Sequence, residues 1–369
     1  MSEQTLRSPS GPGKQASEQP SEHRKTVSVS ETHVELAQLA ERLRQAVLNV
    51  VWQQWRILGA GTTTGRTRVV ESDRHDHQHA LVDPEALVLV SLTLLEEERR
   101  LGDVLHDWCV HNSDLLSVQR MKNLEADYQA PTRQSLAQPL AWFAAVATDK
   151  AKDHRWKSLA HTPKGADAEQ AYGRQFGSHA PGGAKTKSRA VRARLKDPAA
   201  LMLRLRLGLG VGIKSDLIAF LLARGGGWAT TREMTEATKY TVAAVRRAAE
   251  DLAAARLIES VDDQATRYRV SVDQWGPLLG VHGRPSSWES WHERFLFTTA
   301  FLTWAADARQ RPLTAYAFGA NGRRLLENHR AAFGRDQLVL WNAHADVQDW
   351  DSVVDETVRQ LASWMEEAV

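Results

Sequence analysis

The chain holds one cysteine and fourteen histidines, so nucleophilic or metal chemistry has few places to reside. Cys109 stands between His106 and His111. A nucleophilic thiol needs a lowered pKa and an oriented base, and flanking Trp108 and Val110 instead suit a buried, inert sulfur in an apolar helix. The His106, Cys109 and His111 set is too sparse for a metal centre. His75, His77 and His79 recur with a period of two, which on an extended strand puts three imidazoles on one face, where they could hold zinc or nickel. Their polar surroundings, just ahead of a helix start, read instead as a solvated loop. Gly208, Gly210 and Gly212 before Lys214 and Ser215 resemble a phosphate loop only superficially, because Ile213 separates the last glycine from the lysine and the G-x-x-x-x-G-K-[ST] spacing is absent. They read as a turn. His292 and Glu293 lack the second histidine of an H-E-x-x-H zinc site. No spaced acid–base pair emerges, and the expectation is neither an enzyme nor a cofactor or metal protein.

The remaining chemistry is cationic. The net charge of +2 averages opposed regions: Lys185–Lys214 carries nine Lys/Arg against Asp197 alone, whereas Val70–Ala130 carries thirteen Asp/Glu against five Lys/Arg. Any nucleic-acid surface is therefore local. Arg189, Arg192, Arg194 and Lys196 could grip phosphates without reading sequence, and Lys239, Arg246 and Arg247 follow within a short, strongly patterned stretch.

That stretch, Lys214 to Val270, must position them. Leu217, Ile218, Leu221 and Leu222 recur as one helical face until Gly225, Gly226 and Gly227 end it. Thr230-Thr231-Arg232-Glu233 is a capping box opening a short helix to about Ala237. Lys239 and Tyr240 make a turn, and Thr241 caps a third helix in which Val245, Ala248, Ala249 and Leu252 face inward while Ala243, Ala244, Arg246 and Arg247 face out. Leu257, Ile258 and Val261 form a short strand, Asp262-Asp263-Gln264 a turn, and Thr266 to Val270 the returning strand.

This order of elements resembles the winged helix-turn-helix of MarR-like and ArsR-like bacterial transcription regulators, over residues 214–270 only. Arg256 departs from the family pattern by standing where a glycine suits a left-handed helix end, so a less regular turn is expected. The acidic wing tip, Asp262 and Asp263, is a second departure, leaving wing contacts to Arg267 and Arg269. The resemblance implies a DNA-binding set of Arg232, Lys239, Tyr240, Thr241, Ala243, Ala244, Arg246, Arg247, Arg267 and Arg269, to which charge and position just ahead of the stretch add Arg192 and Arg194 of the lead-in.

Around this stretch, residues 1–32 are too polar to offset the entropy of ordering and read as a disordered tail. Leu36, Leu39, Leu43, Ala46 and Val50 make a helical seam that packs on its own domain or pairs with a second copy. Asp83-Pro84-Glu85 starts a helix over Ala86–Leu95. Helices over Leu101–Val110, Leu115–Asp127, with Arg120 and Lys122 outward, and Ser135–Ala151 complete a helical domain over 33–158. A basic Gly/Ala/Lys-rich linker over 159–196, the winged domain over 197–273 and a small α/β or helical accessory domain over 284–369 follow. The last comprises a helix over Ser287–Ala306, strands over Leu313–Phe318 and Gln337–Trp341, and helices over Arg323–Ala332 and Trp350–Met365. The thirteen tryptophans read as packing.

The fold class expected is mainly α with a winged helix-turn-helix. No apolar run approaches the ~20 residues of a membrane span and the N-terminus lacks a signal peptide's apolar core, so a cytoplasmic protein is expected. The function expected is a sequence-specific transcription regulator, with double-stranded DNA as partner, bound by a homodimer. The alternative is a protein-interaction component, antitoxin-like or of phage defence, whose winged helix serves autoregulation or holds a partner.

Overall fold

The computed structural model describes residues 29–60, 80–160, 192–280, 286–311, 314–333 and 350–367. His75, His77 and His79, the tail up to residue 28, most of the linker and the strand expected at Gln337–Trp341 lie outside them. The described chain is mainly helical. No helix in it is long and apolar enough to cross a membrane.

Helix α1 (Val29–Ile57) begins inside the segment expected to be unstructured. It buries Leu36, Leu39, Leu43, Ala46 and Val50, the recurrence that periodicity predicts. The partner is internal: α1 lies against α12 (Trp291–Gln310) and α14 (Trp350–Glu367). The seam that could have paired two copies is therefore covered by the chain's own C-terminal helices.

Helix α2 (Pro84–Thr93) is the central element, buried from Pro84 through Leu92. Asp83 accepts from the Ala86 amide at 3.1 Å and Pro84 takes the first turn, satisfying a free amide while leaving a nearly all-apolar helix for the interior. Helices α3 (Arg100–Asn112), α4 (Val118–Asp127), α5 (Thr132–Asp149) and α12 surround it. The short α6 (Lys157–Ala160) and the Trp156 ring, edge-on to Phe143 at 5.4 Å, close one side of α5. Leu87, Trp142, Phe143, Phe295, Phe301 and Val358 thus share one hydrophobic cluster, to which both expected flanking domains contribute.

Helix α13 (Ala315–Asn328) replaces the strand expected from Leu313 to Phe318. The cause is local: the Thr314 hydroxyl accepts from the Ala317 amide at 3.3 Å and caps a helix there.

A second cluster belongs to the middle of the chain. Helices α7 (Leu201–Leu209) and α8 (Ile213–Ala223) pack together across a turn at Gly210, φ 90°. Strand β1 (Ala229–Thr230), α9 (Thr231–Thr238), α10 (Val242–Ala254), β2 (Glu259–Val261), β3 (Arg267–Arg269) and α11 (Val272–Leu279) follow. The strands form an antiparallel sheet in the order β1-β3-β2, with Tyr268 opposite both Ala229 and Ser260. Leu217, Leu221, Met234, Val245, Ala249, Leu252 and Tyr268 fill the space between sheet and helices.

Candidate nucleic-acid interface

Helix α10 owes its start to Thr241, whose hydroxyl accepts from the Ala244 amide at 3.4 Å. It owes its inward face to Val245, Ala248, Ala249 and Leu252, all buried against α8 and α9. The other face is open. Thr241, Val242, Ala243, Ala244, Arg246 and Arg247 are exposed, and neither arginine makes an ion pair among the described residues. Positions three and four apart share a helix face, so Ala243 and Arg247 lie one above the other at the outermost part, with Arg246 beside them.

The turn into α10 is fixed to the helical body. Lys239 has a left-handed backbone, φ 60°, and caps α9. The Arg120 Nε donates to the Thr238 carbonyl at 3.0 Å and the Asn123 amide to the Lys239 carbonyl at 2.8 Å. Lys239 turns its ammonium inward to Glu293 and, at 3.7 Å, to Asp127, whose other partner is the His292 Nε2 at 3.1 Å. Tyr240 is 9% exposed; its hydroxyl donates to Asp216 at 2.9 Å and lies 3.2 Å from the Ser117 hydroxyl. Burial and the Asp216 carboxylate push this phenol well above its ordinary range. Lys239 and Tyr240, expected at DNA, have their side-chain polar groups engaged by the body at the entry to α10.

Beneath the turn is a buried ionic network that the sequence reading missed. Glu85 is buried in α2, and a carboxylate so placed must be paired. Arg206 of α7 donates to Glu85 at 2.6 and 3.0 Å and to Asp216 at 2.7 and 2.9 Å. Arg120 of α4 donates to Asp83 at 2.5 and 2.6 Å and to Glu85 at 2.8 Å. Ser117 adds its backbone amide to Glu85 at 2.7 Å. Burial pushes Asp83 up, but the Arg120 charge and hydrogen bonds outweigh it and hold that carboxyl below its ordinary range. Three carboxylates and two guanidiniums thereby join the helical body to the second cluster's helices. Arg120 is wholly buried rather than outward, because α2 presents its two carboxylates directly to it.

The other expected contact residues are mostly engaged. Arg232 is exposed and pairs with Glu236 at 2.7 Å. In the β2–β3 hairpin Arg267 reaches Asp263 at 3.2 Å, and Arg269 pairs with Glu259 at 2.6 Å while lying 4.6 Å from the Trp228 ring centre. Arg192 is exposed 3.5 Å from Asp114. Arg194 is exposed too, on a lead-in tied to the body by its own amide to the Leu58 carbonyl and by the Ala193 amide to the Asn112 side chain. Arg256 takes φ 57° and closes a regular helix end: its amide donates to the Ala253 carbonyl and that of Leu257 to Leu252. The less regular turn expected there is not formed, since an arginine accepts the left-handed backbone.

Elsewhere, Cys109 is fully buried with its thiol 3.8 Å from the Phe143 carbonyl. Burial, with Asp153 adding, pushes it well above the ordinary thiol range, opposite to what a nucleophile needs. Among the described residues no group of three or more His, Cys, Asp or Glu side chains could hold a metal ion. The site thus reduces to the outward α10 face, mounted on the body by the contacts at Thr238, Lys239 and Tyr240. Comparison with models of known protein families, with curated proteins and with solved structures yields no match.

Proposed function

We propose that this chain is a winged-helix DNA-binding protein that regulates transcription, reading duplex DNA with α10. The observation that carries the reading is the pairing of two exposed arginines, Arg246 and Arg247, free of carboxylate partners among the described residues, with short side chains on the same face. A helix so equipped enters the major groove closely, its N-terminal residues toward base edges and its arginines toward guanines or phosphates. The wing arginines are held by Glu259 and Asp263, so contact concentrates on α10. One such module reads few base pairs, and a homodimer is proposed, associating through a surface other than the covered α1 seam.

The test is anisotropy binding to the DNA upstream of the chain's own gene over a salt series. The wild type prefers that duplex over scrambled DNA, and log affinity falls linearly with log salt, with a shallow slope of about −2 per copy if both arginines meet phosphates. Arg246→Ala/Arg247→Ala weakens binding by at least about tenfold. A wild type without sequence preference, matched by the double variant, sinks the reading.

A further inference from the structure

The open face of α10 carries something besides its arginines. Val242 is 49% exposed in the first turn, one of few large apolar side chains so placed among the described residues. Ala243 and Ala244, also exposed, follow directly. Side chains about 100° apart around the axis ring the end of the helix, and here three in succession end in methyl groups. The exposed half of this side chain adds little to the fold: β-branching lowers helix propensity, and that remaining apolar surface is removed from water only by a partner. The area is also too small for a protein docking surface, which needs about 800 Å² from each side.

We infer that Val242, Ala243 and Ala244 contact thymine 5-methyl groups in the major groove and make α10 selective for sites containing thymine at those positions, an inference that rests on the DNA-binding reading above. In that groove thymine alone presents a methyl group; cytosine presents an amine donor, and the purines present acceptors at N7. Methyl-ended side chains complement only the first. Set against cytosine, they would cover its amine without accepting from it and leave a desolvated donor unpaired. Arg246 and Arg247, one turn further along, supply the positive charge that brings this apolar tip against a polyanion, and the tip itself carries no carboxylate to oppose it.

The experiment separates this inference from the reading beneath it. Duplexes are enriched from a random-sequence pool by repeated capture on the full chain. A short enriched duplex is then resynthesised with deoxyuridine in place of each thymidine in turn, which removes one methyl and leaves the pairing edge intact. At one or more positions the wild type binds the deoxyuridine duplex about fourfold more weakly, the effect of one buried methyl group. Val242→Ser/Ala243→Ser/Ala244→Ser binds both duplexes alike. An enriched site that lacks thymine, or whose binding is unchanged by every deoxyuridine, overturns the inference while leaving DNA binding intact. A pool from which nothing is enriched overturns both. The deoxyuridine arm uses unaltered protein, so a poorly folding variant does not blunt it.

Discussion

Arg206 donates to two carboxylates with its side chain wholly buried, and removing it would leave Asp216 with the Tyr240 hydroxyl and no guanidinium, and Glu85 with Arg120 alone for its charge. Breaking a buried pair from one side costs about 3 to 5 kcal/mol, so Arg206→Met is expected to lower the urea midpoint strongly, an unchanged midpoint being the contrary outcome. Asp83 gives the pH dependence of the same network. A carboxyl held below its ordinary value contributes stability that is present above that value and lost as pH falls through the lowered one. Urea titrations from about pH 6 down to pH 3 should show stability falling at the acid end, and Asp83→Asn should flatten that fall. At Arg256 the left-handed backbone, φ 57°, costs roughly 1 kcal/mol for a side chain with a Cβ. Arg256→Gly should therefore raise the melting temperature, whereas a lowered one would mean that the arginine side chain contributes more than the turn costs. Cys109, buried and with its thiol pKa raised, is expected to react with a disulfide reagent only after denaturant is added; rapid labelling of the native chain would contradict its placement.

At the scale of elements, what could be read from sequence was whatever had its cause within four residues. The Thr230–Glu233 capping box forms with the Glu233 carboxylate 2.8 Å from the Thr230 amide, the Thr241 cap starts α10, and the Asp83-Pro84 start of α2 is as its residue types dictate. The face of α10 was legible for the same reason. The engagement of Lys239 and Tyr240 was not, because Asp216, Ser117 and Glu293 lie far off in sequence and no local spacing announces them. Nor was Arg206, placed in an alternating apolar stretch, distinguishable from a surface cation until Glu85 stood beside it. Thr314 shows a different failure: Leu313 to Phe318 reads as a strand, and a single hydroxyl cap decided for helix.

Across the whole molecule, α1 and α14 stand at opposite ends of the chain yet close one core, with Leu43 and Val358 both fully buried. Val358→Asp would put a charge into that shared interior, and the expected result is loss of cooperative melting for the helical body as a whole rather than fraying of the last helix. Retention of the wild-type melting curve by that variant would show that α14 is an appendage. The seam of α1 was visible as an apolar recurrence, but the choice between an internal cover and a second copy depended on residues some three hundred positions away.

The body holds the entry to α10 through the carbonyls of Thr238 and Lys239, main-chain atoms that every residue type possesses, and through the side chains of Lys239 and Tyr240. Beyond Tyr240 the outward positions contribute nothing to that hold. The outward lettering on the helix can therefore be rewritten without disturbing its mounting; under the DNA-binding proposal, related chains would diverge in the sites they prefer by changing Val242, Ala243, Ala244, Arg246 and Arg247 alone while keeping one scaffold.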